Sequence, residues 1–485
     1  MSRPVTAGTT SNSAKPLTGL RFIGERKGLL QSEPVVLAAM LLSLGLYYFV
    51  PGLVSAVVGG ALFFALTLYR PDLHLVMVPL TVPLFYRPRP LGNLYFSLAE
   101  VVIVCGVAAW ALRDGTRFMR ERKFPSVTAA RAWVGQPAVI LAVVLGMIGL
   151  LWLLVPEAEY RKIAAYDFWR TVLSPLLFFA MMLRWLRTER DIWRMVAAWL
   201  VTASLIGREG VEQYLFGETV SMEGVGRASS VYPSSTALGI YLGRAIALSI
   251  VLTLFLPSTW RFWRIACAIF SLIIGLGVLF SFARGAWIGV FVALVVVGIL
   301  TRHRVLSIGI GAATLAALAA LPFINVERIT SIFDLSGSEN TGVARFRIWS
   351  AAINILRDHP FTGIGQDQFI RQDPVYEVPS SRFFITSHPH NLIFDFWLRL
   401  GLPGLLWMFA VLVYFFWEAL RLWRQHVGTA LGALLLGLIA SMITFVVHGL
   451  LDMAYFTMDL AVTFWLTVGL IVLVKRYQSL EVIGN

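Results

Sequence analysis

The chain has 485 residues, 58% of them apolar and 14% charged, with a formal net charge of +13 and a mean hydropathy of +0.75. Soluble chains carry roughly 25% charged residues, so this balance excludes an ordinary soluble enzyme. The positive charge is scattered in short segments between apolar runs, which argues for a membrane topology signal and against a nucleic-acid partner.

Residues 1–33 are polar and rich in Ser, Thr and Gly, and are expected to form a cytoplasmic tail without a cleaved signal peptide. Fourteen apolar runs follow, each a candidate helical span of a bilayer core roughly 30 Å thick. They fall at 34–50, 52–69, 73–87, 95–113, 137–155, 167–186, 191–207, 234–256, 263–281, 284–301, 305–323, 403–424, 428–450 and 455–475. The first two can be one hairpin broken at Pro51, and Pro79 and Pro83 interrupt the third, so the expected total is about 12–14. The expected fold class is all-α, a polytopic transmembrane helical bundle with a large helix-containing extracytoplasmic loop. Its divisions are a tail (1–33), a bundle (34–323), the loop (324–402), C-terminal helices (403–475) and a cytoplasmic tail (476–485). Cys105 and Cys267 both lie in apolar runs, so no disulfide framework is expected.

Short loops rich in Lys and Arg face the cytoplasm. With the N-terminus inside, every inner segment is basic: Arg21, Arg26 and Lys27; Arg70; Arg113 to Arg131; Arg184, Arg187, Arg190 and Arg194; Arg261 and Arg264; Arg302 and Arg304; Arg421 and Arg424; Lys475 and Arg476. Segments 208–233 and 324–402 then lie outside. Within the second, 343–358 reads as a helix with Phe346, Trp349, Ile353, Ile355 and Leu356 on one stripe, and 390–400 as another just before the twelfth span.

An ionised side chain at the bilayer centre costs about 2.5–3.5 kcal/mol on insertion scales, so each needs a reason. Glu100, Arg170, Arg284, His448 and Asp459 fall in the outer third of their spans, Arg244 lies deep with Glu100 as a candidate partner, and Arg227 and Asp452 lie just outside a span. Arg284 opens the tenth span. A cation at a helix N-terminus is unfavourable by about 0.3–1 kcal/mol unless an anion such as phosphate sits there too; the alternative is an arginine snorkelling to the interface. Two of the seven histidines, His388 and His390, occur together on the outer side, and an imidazole suits proton transfer near neutrality. His390, Phe394 and Trp397 share a helical face, which turns the ring toward the bundle. The alternative is a structural histidine at a helix start capped through Asn391. A zinc site is not expected, because the two histidines lack helical ligand spacing and no Cys or acidic cluster completes a set.

In order along the chain, Arg227-Ala-Ser-Ser-Val-Tyr-Pro-Ser-Ser-Thr, Ser281-Phe-Ala-Arg284-Gly, Arg345-Phe-Arg347-Ile-Trp349, Asp358-His-Pro360-Phe-Thr-Gly363-Ile-Gly365, His390-Asn391 and Gly401-Leu-Pro-Gly404 resemble the signatures of the O-antigen ligase and O-antigen polymerase superfamily of bacterial membrane glycosyltransferases. The likeness covers about residues 225–425. It departs at Arg399, where the family commonly has Glu, so any role of that Glu is not carried over.

The resemblance implies a GT-C-like fold in the bacterial inner membrane, active on its extracytoplasmic face. The donor would be a glycan on undecaprenyl diphosphate; the acceptor would be a glycolipid, another lipid-linked glycan or a protein hydroxyl. His390 would be the general base, Arg284 would neutralise the leaving diphosphate, and Arg227, Arg345, Arg347, Asn391 and Arg170 would bind diphosphate or sugar. No cofactor or metal is expected: no Asp-x-Asp occurs, and the first outer turn (Val50-Pro51-Gly52-Leu53) carries no acid. The competing reading is a transporter of lipid-linked glycans, which would need midplane charges and an internal repeat.

Overall fold

The computed structural model describes residues 32–91, 94–121, 136–217, 219–222, 225–303, 309, 341–376 and 388–484. The eleventh expected span, nearly all of the N-terminal tail, the basic segment around Arg122 to Arg131 and much of the large outer loop lie outside them. The described chain is mostly helical. Its principal helices are α1 (Glu33–Phe49), α2 (Leu53–Tyr69), α3 (Pro71–Thr81), α4 (Leu98–Glu121), α5 (Pro137–Leu151), α6 (Arg161–Phe168), α7 (Ser174–Trp185), α8 (Glu189–Phe216), α9 (Ser235–Phe255), α10 (Arg261–Ser281), α11 (Arg284–Thr301), α12 (Thr341–Asp358), α13 (Leu392–Gln425), α14 (Ala430–Gly449) and α15 (Met458–Gly484). Two small antiparallel hairpins accompany them: β1 (Arg89–Leu91) with β2 (Leu94–Phe96), and β3 (Val220–Met222) with β4 (Val225–Arg227), the latter in register Val220 opposite Arg227.

Among the described residues seven helices are long and apolar enough to cross a membrane: the 137–154 segment, α9, α10 with its lead-in turn, α11, α13, α14 and α15; α1 and α2 are shorter apolar helices. The expected spans at 73–87, 95–113, 167–186 and 191–207 are helical, but broken or more heavily charged. Segment 167–186 runs from the end of α6 through a π-turn at Trp169–Leu173 into α7.

Helix starts follow local chemistry. At α8 Thr188 Oγ1 accepts from Asp191 N (3.2 Å) and the Asp191 carboxylate accepts from Thr188 N (2.9 Å), a reciprocal cap. Ser234 caps α9 and Thr429 caps α14 in the same way through one side-chain oxygen. The centre is formed by α15, 94% of whose spanning window is buried, with α14 and α9 beside it. A helix apolar on every side suits such a position.

Segment 208–233 holds the end of α8, to Phe216, and the β3–β4 hairpin. One expectation changes in part: the buried face of α12 is Ile348, Ala351, Ala352, Ile355 and Leu356, packed on Ile364, Phe369 and Leu398, whereas Phe346 (64% exposed) and Ile353 face outward. The expected helix at 390–400 and the twelfth span meet at Gly401, whose non-helical backbone divides α13 into two helices.

That kink has a steric cause. Gly401 adopts φ 64°, ψ −169°, and a Cβ there would lie 2.3 Å from Phe361 O. Leu402 N donates to the same carbonyl (3.0 Å), so the outer segment is stapled against the bend. Gly401→Ala should therefore lower stability by at least about 1–3 kcal/mol, read as a lower thermal midpoint of the purified protein in detergent; an unchanged midpoint would refute this account of the kink.

Candidate active site

His390 sits one residue before the Asn391 cap of α13, in the left-handed region (φ 50°) that histidine tolerates better than most residues. This turn aims its ring away from the helix, at the connection between α14 and α15. There His390 Nδ1 lies 2.8 Å from Asp452 Oδ1. The other carboxylate oxygen, Oδ2, accepts from Arg345 Nη2 of α12 (3.2 Å), and Oδ1 also accepts from Met453 N (2.8 Å). Asn391 Oδ1 accepts from Ile393 N and Phe394 N, and its Nδ2 donates to Leu450 O (2.9 Å). Trp349 Nε1 donates to Pro389 O (3.0 Å) and closes the turn from the α12 side.

Burial alone would raise the Asp452 carboxyl, but the His390 ring bonded to it and the Arg345 guanidinium overcome this and hold the group well below the ordinary carboxylate range. Asp452 is therefore an anion at neutral pH. Burial pushes His388 well below the usual histidine range, so it stays neutral. An anionic acceptor on Nδ1 fixes the ring proton there and leaves Nε2 as the basic nitrogen. The arrangement is a histidine oriented by a carboxylate, and the carboxylate is in turn held by an arginine.

His388, His390 and Asp452 place potential ligand atoms within 4.8 Å of one another, so one acid stands beside the histidines. Its position does not suit a cation, because Asp452 is already bonded to His390 Nδ1 and faces the Arg345 guanidinium.

Arg284, exposed, opens α11 after Phe282, which takes the left-handed conformation that reverses the chain. Gly285 is pressed against His448, whose ring carbon would lie 2.4 Å from a Cβ there. His448 O accepts from Asp452 N (3.0 Å). The start of α11 and the His390–Asp452 pair are thus joined through one turn of α14. Arg227, buried, ends β4, and the next residue, Ala228, donates its N–H to Phe280 O (2.9 Å) beside the Arg284 turn. Gln213 of α8 holds this segment through Ser229 N and Ser230 N (3.1 and 2.7 Å).

Other expected site residues go elsewhere. Arg347 is exposed and lies two positions from Arg345, on the other side of α12. Arg170 is committed to Glu100 (3.1 Å) and lies over the rings of Tyr166 and Phe85. Glu100 also bonds Ser97 in the first turn of α4 and so is not the partner of Arg244. Arg244 donates instead to Leu460 O (3.3 Å) and Thr467 Oγ1 (3.1 Å) of α15. Asp452, singled out in the sequence only as an acid just outside a span and not as a site residue, is the partner that the fold gives to His390.

Residues 268–409 match the family model of O-antigen ligase. The matched stretch holds Arg284, Arg345, Arg347, His390 and Asn391 and ends before Asp452. No curated protein matches the chain.

Asn391 joins the helix cap to the α14–α15 connection, so Asn391→Ala should cost about 1–2 kcal/mol. Asn391→Asp keeps the cap oxygen but loses the donor to Leu450 O, and its thermal midpoint should fall between wild type and the alanine variant. A midpoint equal to wild type would show that the Leu450 bond contributes nothing.

Proposed function

We propose that this protein is a membrane glycosyltransferase of the O-antigen ligase type, moving a glycan from undecaprenyl diphosphate to the hydroxyl of a lipid-anchored acceptor on the extracytoplasmic face of a bacterial inner membrane. The single observation that carries the reading is the His390–Asp452 pair, whose histidine lies on the family-matched segment, beside the turn that presents Arg284. Ligation is preferred to polymerisation because the matching family model is that of a ligase.

In the proposed reaction His390 Nε2 takes the proton of the acceptor hydroxyl as its oxygen attacks the anomeric carbon. The bond from that carbon to the diphosphate oxygen breaks, the electron pair leaves with the diphosphate, and the sugar inverts. The proton on the imidazolium then passes to solvent or to the departing diphosphate. A positioned general base contributes about 10²–10⁴-fold, and Asp452 stabilises the imidazolium as it forms. Arg284 and Arg227 receive the charge of the leaving diphosphate. Arg345 fixes Asp452 and is a positioning residue in this scheme, and Asn391 sets the turn that aims the ring.

His390→Ala should abolish transfer while leaving donor binding near wild type. Asp452→Asn should lower the plateau rate by about 10²–10⁴-fold. A rate equal to wild type would sever Asp452 from the base. Arg284→Lys should lose most activity, because a point charge does not replace a two-pronged fork.

The deciding test is a gel profile of the host's surface glycan after deletion and complementation. Long chains stranded on the lipid carrier with bare acceptors support the ligase. Acceptors stopping at one repeat unit would turn the reading to a polymerase, and an unchanged profile in the deletion would overturn glycan transfer altogether.

A further inference from the structure

At the end of the bundle opposite His390, the starts of α1, α3 and α8 and the later turns of α2, α4 and α7 line an open cleft of about 590 Å³. The helix α15 begins six residues after Asp452, and roughly 27 Å along it Arg476 donates to Leu183 O, next to Arg184, so this cleft is far from the histidine pair. Six arginines line it against three carboxylates. Arg194 is bound to Glu33, Asp72 and Asp191, Arg70 to Asp72 (2.7 Å), Arg190 to Glu33 (2.7 Å) and Arg184 to Asp114 (3.0 Å). These pairs use every lining carboxylate and leave two guanidiniums over. Arg113 donates only to a carbonyl, Leu68 O (2.8 Å), and the Arg187 side chain has no hydrogen-bond or ion-pair partner among the described residues, although it feels the charge of Arg476.

Arginines gathered from separate helix ends, in excess of their counterions, repel one another unless a multivalent anion joins them. Tyr69 and Trp185 also line the cleft, and aromatic residues of this kind mark the headgroup level of a bilayer. We propose that this cleft binds the phosphate group of an anionic ligand, Arg113 and Arg187 supplying the charge left over by the internal ion pairs. Guanidinium forks match phosphate oxygens two at a time. The source is either an anionic phospholipid headgroup in the leaflet that the Lys/Arg bias assigns to the cytoplasm or free phosphate. The proposal is independent of the transfer reaction.

The test titrates the full-length protein in neutral detergent with dioleoylphosphatidylglycerol, with dioleoylphosphatidylcholine, and with sodium phosphate against sodium chloride at equal ionic strength, following thermal midpoint and native mass spectra. Saturable retention of phosphatidylglycerol over phosphatidylcholine, weakened at least tenfold in Arg113→Gln/Arg187→Gln, supports a lipid source. Saturable phosphate stabilisation lost in the same variant supports a soluble one. Binding of neither probe, or binding unchanged in the variant, overturns the site. Should the double variant fold poorly, Arg187→Glu serves instead: that side chain is exposed and makes no bond, and a reversed charge there should still weaken binding at least tenfold.

Discussion

The site depends on one buried carboxylate. Asp452 is 5% exposed and anionic, a state that costs several kcal/mol to bury unless donors replace the lost water. Three donors do so: the His390 ring, the Arg345 guanidinium and the backbone N–H of Met453. Each belongs to a different part of the chain, so satisfying this one charge fastens the turn before α13, the outer helix α12 and the α14–α15 connection to a common point. The same satisfaction orients the imidazole, because an anion at Nδ1 leaves only Nε2 to face a substrate. Packing and ring orientation thus share a single electrostatic requirement, and removing any donor would both loosen the outer segment and misdirect the His390 ring.

Around this point the packing leaves little freedom. Gly285 has no side chain because the His448 ring fills that space, and His448 precedes Asp452 by one helical turn. Gly401 bends α13 so that its first turns can meet the 361–365 segment while the rest descends through the bundle. The segment bearing Arg227 is held by Gln213, and by Glu209, which accepts from both Arg87 (2.8 Å) and Ser230 Oγ (3.1 Å). Arginine side chains that meet a polyanion gain from such scaffolding, since less rotamer entropy is lost on binding.

Much of this was legible in the sequence because hydropathy and periodicity are local. Helices stand at thirteen of the fourteen expected spans, the other lying outside the described residues, and His390 and Arg284 do come to one end of the bundle. What was not legible is tertiary. His390 and Asp452 are 62 residues apart and Arg345 and Asp452 107, and no local pattern announces such pairs. Three-residue strands such as Arg89–Leu91 are too short for an alternation to register. The stripe on α12 held at Trp349, Ile355 and Leu356 but not at Phe346 and Ile353, because it weighted large side chains and left out the buried Ala351 and Ala352. Glu100 was offered to Arg244 on hydropathy alone, yet Ser97, three residues away, and Arg170 had the prior local claim.

Arg399 shows how a departure from a family pattern can be absorbed by its surroundings. It is buried, with Nε on Asp395 (2.8 Å) and Nη1 on Asp167 (2.8 Å), and its guanidinium lies over the Phe456 ring. A glutamate in this place would confront two carboxylates and be strongly disfavoured, so in this chain Asp167, Asp395 and Arg399 form one unit, tying α6 to the first turns of α13. One cation between two acids has no charge to spare. It cannot serve a diphosphate without releasing Asp395 or Asp167 into a low-dielectric interior, at a cost of about 3–5 kcal/mol for a broken buried pair. Arg170 is likewise held by Glu100, and Arg345 by Asp452. In the proposed reaction the anion is assigned to Arg284 and Arg227 by position: the start of α11 meets His448, one helical turn before Asp452, and Ala228, next to Arg227, bonds Phe280 O near that start.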